Sequence, residues 1–251
     1  GMLAGDRILA VDGVSVENLP LDLLLHRLRG PVGTKVVLAI GRRDRDPPWT
    51  FTLVRSWIRL APIAAREVGP VQVVQIKSFA RRVATDLEAQ LHRRAPKKGL
   101  VLDLRGNPGG LFDEAVAVCD LFLEDGLIVT AIGKGGRVLD RQEARRRGTE
   151  PNYKIAILVD PHTASAAEIV AGALRDRGRA RLFGARTYGK GSVQSMLDLS
   201  DGSGLKLTIA RYLTPSGAVI DGQGVAPDET VPPGDGESDT VLAAALAWVG
   251  K

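Results

Sequence analysis

Ser165 stands in Asp160-Pro161-His162-Thr163-Ala164-Ser165-Ala166-Ala167-Glu168, between a buried-type apolar run and the start of a helical pattern. Two kinds of chemistry fit a serine in that place. It can cap the helix, with Glu168 three residues on completing a capping box. It can also be a nucleophile, because the free N–H groups of a helix N-terminus stabilise a developing oxyanion. A serine nucleophile needs a base, and the chain offers two types. Its histidines are His26, His92 and His162. Only His162 is close to Ser165 in sequence, and only Asp160 is at hand to orient it, which makes Ser–His–Asp the weaker arrangement. Serine–lysine pairs perform the same task. Lys190 lies in Tyr188-Gly189-Lys190-Gly191-Ser192, where flanking glycines let the backbone turn tightly and direct the lysine inward.

A lysine works as a base only when neutral, and burial away from carboxylates is what disfavours its charged form. The pairing therefore requires a site that buries Lys190 with no carboxylate touching it. A rival use of Lys190 is phosphate binding, since Gly184-Ala185-Arg186-Thr187-Tyr188-Gly189-Lys190 fits the opening of a P-loop. That loop continues with Ser or Thr and then a helix, whereas here Gly191 follows and Ser192–Leu197 alternates like a strand. Both tests fail, and the nucleotide reading falls away.

The elements that must hold these residues can be read from patterning. Arg7–Val11, an Asp12-Gly13 turn and Val14–Val16 read as a hairpin. Pro20–Leu28 has apolar residues at helical spacing and stops at Gly30-Pro31, and Lys35–Ile40 and Thr50–Val54 read as strands around a polar loop, Arg42–Pro48. The pattern changes near Ser56–Ile63. Beyond it come a strand Val71–Ile76, a helix Ala84–Leu91, a buried strand Gly99–Leu104, a turn Arg105–Gly110, a helical run to Leu123 and a strand Leu127–Ile132. Tyr153–Val159 is another buried strand, followed by a helix from Ser165 to Arg175. Ser192–Leu197, Leu205–Leu213 and Gly217–Asp221 read as antiparallel strands around Asp201-Gly202 and Pro215–Gly217 turns, and Thr240–Trp248 as a closing helix. The expected fold is α/β: a mixed-sheet core with parallel βαβ units and antiparallel C-terminal strands in residues 57–251, preceded by a β-rich domain in residues 1–56.

Bulk properties remove other classes. With 44% hydrophobic and 25% charged residues among 251, the chain has the composition of a globular protein. No apolar stretch approaches the roughly 20 residues that span a bilayer, and no charged-then-apolar signal peptide opens the chain. The net charge is +5, but the Arg145-Arg146-Arg147 and His92-Arg93-Arg94 runs are short and only 4% of residues are aromatic, so nucleic-acid binding is not expected. One cysteine, Cys119, allows no internal disulfide and no cysteine-based zinc site, and its apolar surroundings read as core. No cofactor or metal is expected.

Spacing brings the candidates together: Ser165, Glu168, Asp176, Lys190 and Gln194 stand at offsets 0, 3, 11, 25 and 29. Here the sequence closely resembles the carboxyl-terminal processing, or tail-specific, proteases. Their nucleophile lies in Ser-Ala-x-Glu, matched by Ser165–Glu168, and their base in Thr-Tyr/Phe-Gly-Lys-Gly-x-Val-Gln, matched by Thr187–Gln194. A third block, Leu-Asp-Leu-Arg-x-Asn-Pro-Gly-Gly, is matched by Leu102–Gly110, and Asp201-Gly202-Ser203, Arg211–Gly217 and Gly224–Asp228 resemble further blocks in order. The resemblance implies Ser165 as nucleophile, Lys190 as general base and Gln194 as the residue orienting that lysine. It implies an oxyanion site from backbone N–H groups at Gly109 or Gly110 and at Ala166. Glu168 and Asp176 match family positions and read as structural.

Gly1–Gly13 and Pro20–Gly30 resemble the later part of a PDZ domain, entered in the middle. The strands Arg7–Val11 and Lys35–Ile40 are accordingly expected to lack partners that an upstream segment supplies, and the carboxylate-binding loop of the peptide groove is expected to be absent. Taken together, the resemblance implies an endopeptidase that cleaves proteins near apolar C-termini through an acyl-enzyme, in the bacterial cell envelope or periplasm, with homo-oligomerisation through segments this chain lacks. The alternative from another class is a truncated or inactive peptide-binding scaffold of the same fold.

Overall fold

Two residues with positive φ, Asp12 at 50° and Gly13 at 79°, turn β1 (Arg7–Val11) back onto β2 (Val14–Ser15) with Val11 opposite Val14. The computed structural model describes the chain except at positions 1, 4, 43–44, 58–60, 97, 146–149, 200–202, 235–237 and 251. Residues Gly1–Leu60 form one unit and Ala61–Lys251 a second. In the first, helix α1 (Leu21–Leu28) precedes β3 (Lys35–Arg42) and β4 (Arg45–Val54), and the sheet has the order β2-β1-β3-β4, antiparallel throughout. Val11, Val16, Val36, Leu38 and Ile40 are buried, and Leu24 and Leu28 of α1 pack against them. Two expectations change here. The Arg42–Pro48 segment is largely strand rather than loop, with positions 43–44 outside the described residues; Pro48 is tolerated because β4 is an edge. Strands Arg7–Val11 and Lys35–Ile40 do not lack partners, because they are the two central strands of this sheet.

The second unit begins with β5 (Ile63–Val68), β6 (Val71–Ile76), α2 (Val83–Arg93), β7 (Gly99–Asp103) and α3 (Phe112–Asp120). It continues with β8 (Leu127–Gly133), β9 (Val138–Glu143), β10 (Lys154–Val159), α4 (Ala166–Asp176) and β11 (Arg181–Gly184). The last elements are β12 (Ser192–Asp198), β13 (Gly204–Leu213), β14 (Glu229–Thr230) and α5 (Thr240–Val249). A six-stranded sheet runs β14-β11-β10-β7-β6-β5, with every pair parallel except the edge pair β5–β6. Its alternate side chains feed two cores. Val74, Ile76, Leu100, Leu102, Ile155 and Ile157 meet α2, α3 and α4 on one face, while Val71, Val73, Val101, Ala156 and Leu158 meet α5 on the other. Strands buried on both faces explain the unbroken apolar runs. Cys119 is fully buried, and burial pushes its thiol well above the ordinary range, leaving an inert core residue.

The antiparallel strands do not extend this sheet; they form a separate one, β12-β13-β8-β9. Gly217–Asp221, expected as a strand, forms only an isolated bridge between Leu213 and Val219. The expected Asp201-Gly202 turn between β12 and β13 lies outside the described residues. In the large sheet the register sets Leu158 beside Asp103 and Val159 beside Gly184. The loops that follow β7, β10 and β11 therefore leave the sheet at the same end, and they carry Arg105–Gly110, Asp160–Ser165 and Ala185–Lys190.

Candidate active site

Ser165 is the N-cap of α4 with φ 56° and ψ −120°, a combination that costs a non-glycine residue about 1–3 kcal/mol and clusters at functional sites. The neighbouring bonds hold it there. Its N–H donates to Glu168 Oε2 at 2.8 Å, its carbonyl accepts from Glu168 N at 2.8 Å, and the preceding Ala164 N–H donates to the Asn107 carbonyl at 2.9 Å. Glu168 thus supplies its half of the expected capping box.

Glu168 also does something that local spacing does not reveal. It is fully buried, and its carboxylate accepts from Lys190 N at 2.8 Å through Oε2 and from Gly189 N at 2.7 Å through Oε1, where the Thr187 hydroxyl also donates. Ser165 N and Lys190 N therefore share one oxygen, and two 2.8 Å bonds to a single atom keep those nitrogens within twice that distance. The Thr187 hydroxyl accepts from Val225 N at 2.7 Å, and Tyr188 N donates to the Thr163 carbonyl at 3.0 Å, a second tie between the loops of Ser165 and Lys190. A buried carboxylate without a cation is tolerated when several N–H and O–H groups satisfy it.

The lysine side chain departs from expectation. Lys190 is exposed rather than buried, and among the described residues its amine bonds neither the Ser165 hydroxyl nor Gln194. The reason lies in the backbone: Lys190 N–H is spent inward on Glu168, and the glycines on either side are buried, leaving the side chain on the solvent side. Gln194 is exposed on β12 at a register shift between Val193 and Gln194, the kind of irregularity that re-aims a side chain. The strand–loop–strand context of Lys190, from β11 to β12, is also not that of a P-loop.

The glycine loop after β7 lies directly against Ser165. A Cβ on Gly109, whose φ is 98°, would sit 2.8 Å from Ser165 Cβ and 3.0 Å from Ala166 N, so only glycine allows the approach. Gly109 N–H is already committed to Asn107 Oδ1 at 2.8 Å. Gly110 forms a parallel bridge with Phe79, in which Phe79 N donates to the Gly109 carbonyl and Leu111 N to the Phe79 carbonyl. Such a bridge turns Gly110's own N–H away from Phe79. Among the described residues, Gly110 N–H and Ala166 N–H have no acceptor.

The loop roots are pinned by charge. Arg105 donates to both carboxylate oxygens of Asp103, at 2.9 and 2.7 Å, and to both of Asp239, the N-cap of α5, at 2.8 and 2.9 Å. The bonds it donates to Asp103 raise the Arg105 pKa further. Asp176 is 6% exposed and takes Arg175 and Ser216 N. Burial pushes its pKa up, but the Thr214 and Ser216 hydroxyls, Arg175 and Ser216 N–H together hold it below the ordinary 3.8. The histidine alternative gains nothing: His162 is exposed, and Asp160 accepts from the His162 and Gly106 backbone N–H groups and the Thr163 hydroxyl rather than from the imidazole.

Against known proteins, residues 70–231 match the model of peptidase family S41. The chain is 38% identical over 237 residues to a carboxy-terminal-processing protease of Bartonella bacilliformis, covering 92% of this chain and 55% of that protein. It is 38% identical over 240 residues to a carboxyl-terminal-processing protease of a Synechocystis species, with the same coverages. The chain thus spans about half the length of the curated relatives it matches. Among solved structures, the photosystem II D1 C-terminal processing protease superposes with a TM-score of 0.68 at 30% identity, covering 100% of this chain and 69% of that one. Among the described residues, no helix is long and apolar enough to cross a membrane.

Proposed function

The chain belongs to peptidase family S41, and on that footing we propose that it is a serine endopeptidase of the carboxyl-terminal processing type, with Ser165 as nucleophile and Lys190 as general base. The observation that carries this is the single oxygen of Glu168 that accepts from both Ser165 N and Lys190 N. In the reaction, once the dyad is assembled, Ser165 Oγ attacks the scissile carbonyl carbon while its proton passes to the lone pair of the Lys190 amine. The resulting oxyanion accepts from Gly110 N–H and Ala166 N–H. Collapse breaks the C–N bond, and Lys190 returns the proton to the leaving amine, leaving an ester on Ser165 that water hydrolyses by the same route. In the assembled dyad, Gln194 orients the lysine.

The reading extends to substrate. Residues 1–56 supply the C-terminal part of a PDZ-like module for apolar C-terminal peptides, a reading supported by a cavity of about 580 Å³ walled by Leu28, Val32, Val36, Leu38 and Trp57. Protein substrates are met in the bacterial cell envelope. The exposed Lys190 amine favours a second reading, in which the dyad is unassembled in this conformation and the chain holds peptides without cutting them.

Cleavage of an unfolded protein with an apolar C-terminus separates these readings. Ser165→Ala and Lys190→Ala should each reduce turnover by at least about 10³-fold, with the double variant little worse. Lys190→Arg should fail equally, because a guanidinium stays protonated. His162→Ala and a metal chelator should leave the rate unchanged. Activity that survives Lys190→Ala but dies in His162→Ala overturns the dyad. Absence of both cleavage and fluorophosphonate labelling at Ser165, with peptide binding retained, establishes the scaffold.

A further inference from the structure

Asn107 is wholly buried, and each of its side-chain polar atoms is used at short range. Its Nδ2 donates to the Ile76 carbonyl at 2.7 Å, at the end of β6, and its Oδ1 accepts from Gly109 N at 2.8 Å. Its backbone carbonyl accepts from Ala164 N at 2.9 Å, one residue before Ser165. One residue thereby joins three segments: the end of β6, the glycine loop after β7, and the turn that carries Ser165 after β10.

The consequence falls on the two unoccupied donors. By taking Gly109 N–H, the Asn107 amide removes that group as an oxyanion donor and fixes the Pro108–Gly109 peptide plane, the one directly before the plane that carries Gly110 N–H. The Phe79 bridge then sets the direction of Gly110 N–H, and a Cβ on Gly110 would collide with the Phe79 carbonyl oxygen, so the loop has no room to shift toward that side. Ala166 N–H belongs to the segment that the Asn107 carbonyl holds through Ala164. From this geometry we propose that Asn107 is a positioning residue for the oxyanion site, holding Gly110 N–H and Ala166 N–H in mutual register. The proposal rests on the peptidase reading above and adds to it which side chain keeps the donor pair convergent.

Donors worth having in a transition state must be placed before the charge develops, and losing one costs 10²–10³-fold in kcat. Asn107→Ala frees Gly109 N–H to compete and lets the loop relax, so kcat should fall by about 10–100-fold while KM stays within about threefold. Affinity for a peptide boronate, whose adduct with Ser165 is tetrahedral, should fall in parallel with kcat. Affinity for an uncleaved product peptide should not change. A purely structural role would instead move Tm and both affinities together. Asn107→Asp provides a second variant that keeps the acceptor for Gly109. Its protonated acid can still donate to Ile76, whereas its carboxylate faces a carbonyl oxygen, so its activity relative to the native enzyme's should fall with rising pH. An unchanged kcat and boronate affinity in Asn107→Ala overturns the proposal, as does an Asn107→Asp pH profile parallel to the native one. Ser165→Ala distinguishes the two levels of failure. If it matches the native rate, the peptidase reading falls; if it is inactive while Asn107→Ala is normal, only the positioning role falls.

Discussion

The segment carrying Ser165 and the hairpin that follows Lys190 are built to opposite specifications. Every residue from Ala166 to Leu174 of α4 is buried, and β7 and β10 beneath it are covered on both faces. In the β12–β13 hairpin, Leu197, Leu205, Leu207 and Ile209 are each at least 40% exposed, and β13 reaches β8 only over Ala210–Leu213. Ser165 and the N–H groups of Gly110 and Ala166 are thus held by the core, while Lys190 stands at the root of a ribbon that is two-stranded for most of its length. Two-stranded ribbons are marginal on their own. What couples the two regions is the buried Glu168 carboxylate, with the Tyr188–Thr163 bond beside it. On the proposed assignment, the core fixes where the chemistry happens and the placement of Lys190 decides whether it happens.

The largest expected effect comes from cutting that coupling. Glu168→Ala leaves the N–H groups of Ser165, Gly189 and Lys190 and the Thr187 hydroxyl without their acceptor. Stranding buried donors costs about 1–3 kcal/mol each, partly recovered by water, so a loss of about 3–5 kcal/mol in unfolding free energy is expected. Turnover should fall at least about 100-fold. Amide exchange should locate the damage: Gly189 and Lys190 should lose protection while Ile155–Leu158 of β10 keep their rank. Uniform loss across both regions would show that Glu168 supports the whole fold and does not join two parts.

A smaller effect tests the core side alone. Asp176 ends α4 and is held below its ordinary pKa by Ser216, Thr214 and Arg175. A carboxyl depressed on folding contributes stability that is fully present above its unfolded value, about 3.8, and is lost as pH falls through the lower folded value. Asp176→Asn should therefore cost about 1–2 kcal/mol at neutral pH. The gap from the native protein should close as the medium is acidified below about pH 4. Urea melts at several pH values measure this, and a pH-independent gap would assign the loss to packing.

Much of this division was legible in the sequence, though unevenly. Gly99–Asp103 and Lys154–Val159 announced themselves as buried strands because both faces are covered, which removes the polar alternation. Ser165 and Glu168 were readable as a capping pair because capping is a three-residue affair. The other bonds of Glu168 reach Thr187, Gly189 and Lys190, 19 to 22 residues away, and no local periodicity encodes such a contact. Asn107 was visible within a matched block, but its bonds to Ile76 and Gly109 needed the sheet to bring β6 and β7 together. Strand β11 went unread because Arg181–Gly184 is only four residues long, and β9 because five of its six positions are exposed and carry no apolar stripe. The glycines beside Lys190 implied a tight turn correctly and an inward side chain incorrectly, since the turn spends its inward direction on backbone N–H groups.

The smallest effect, and the one that most directly probes the ribbon, comes from its apolar exterior. Leu207 is 43% exposed on β13, opposite Ser195 and beyond the reach of β8. Leu207→Gln removes little buried surface, so the unfolding free energy should change by no more than about 0.5 kcal/mol. The amides of the distal ribbon, Leu197–Asp198 with Gly204–Lys206, should exchange at least about 100-fold faster than those of Ile155–Leu158, because they can open without disturbing the core. That ratio should persist in Leu207→Gln, since the side chain supports neither region. Protection in the distal ribbon equal to that of β10 would mean that the ribbon is held as firmly as the core that carries Ser165. In that case the exposed Lys190 amine is a fixed feature of the site, and assembly of the dyad cannot be a matter of moving the ribbon that follows it.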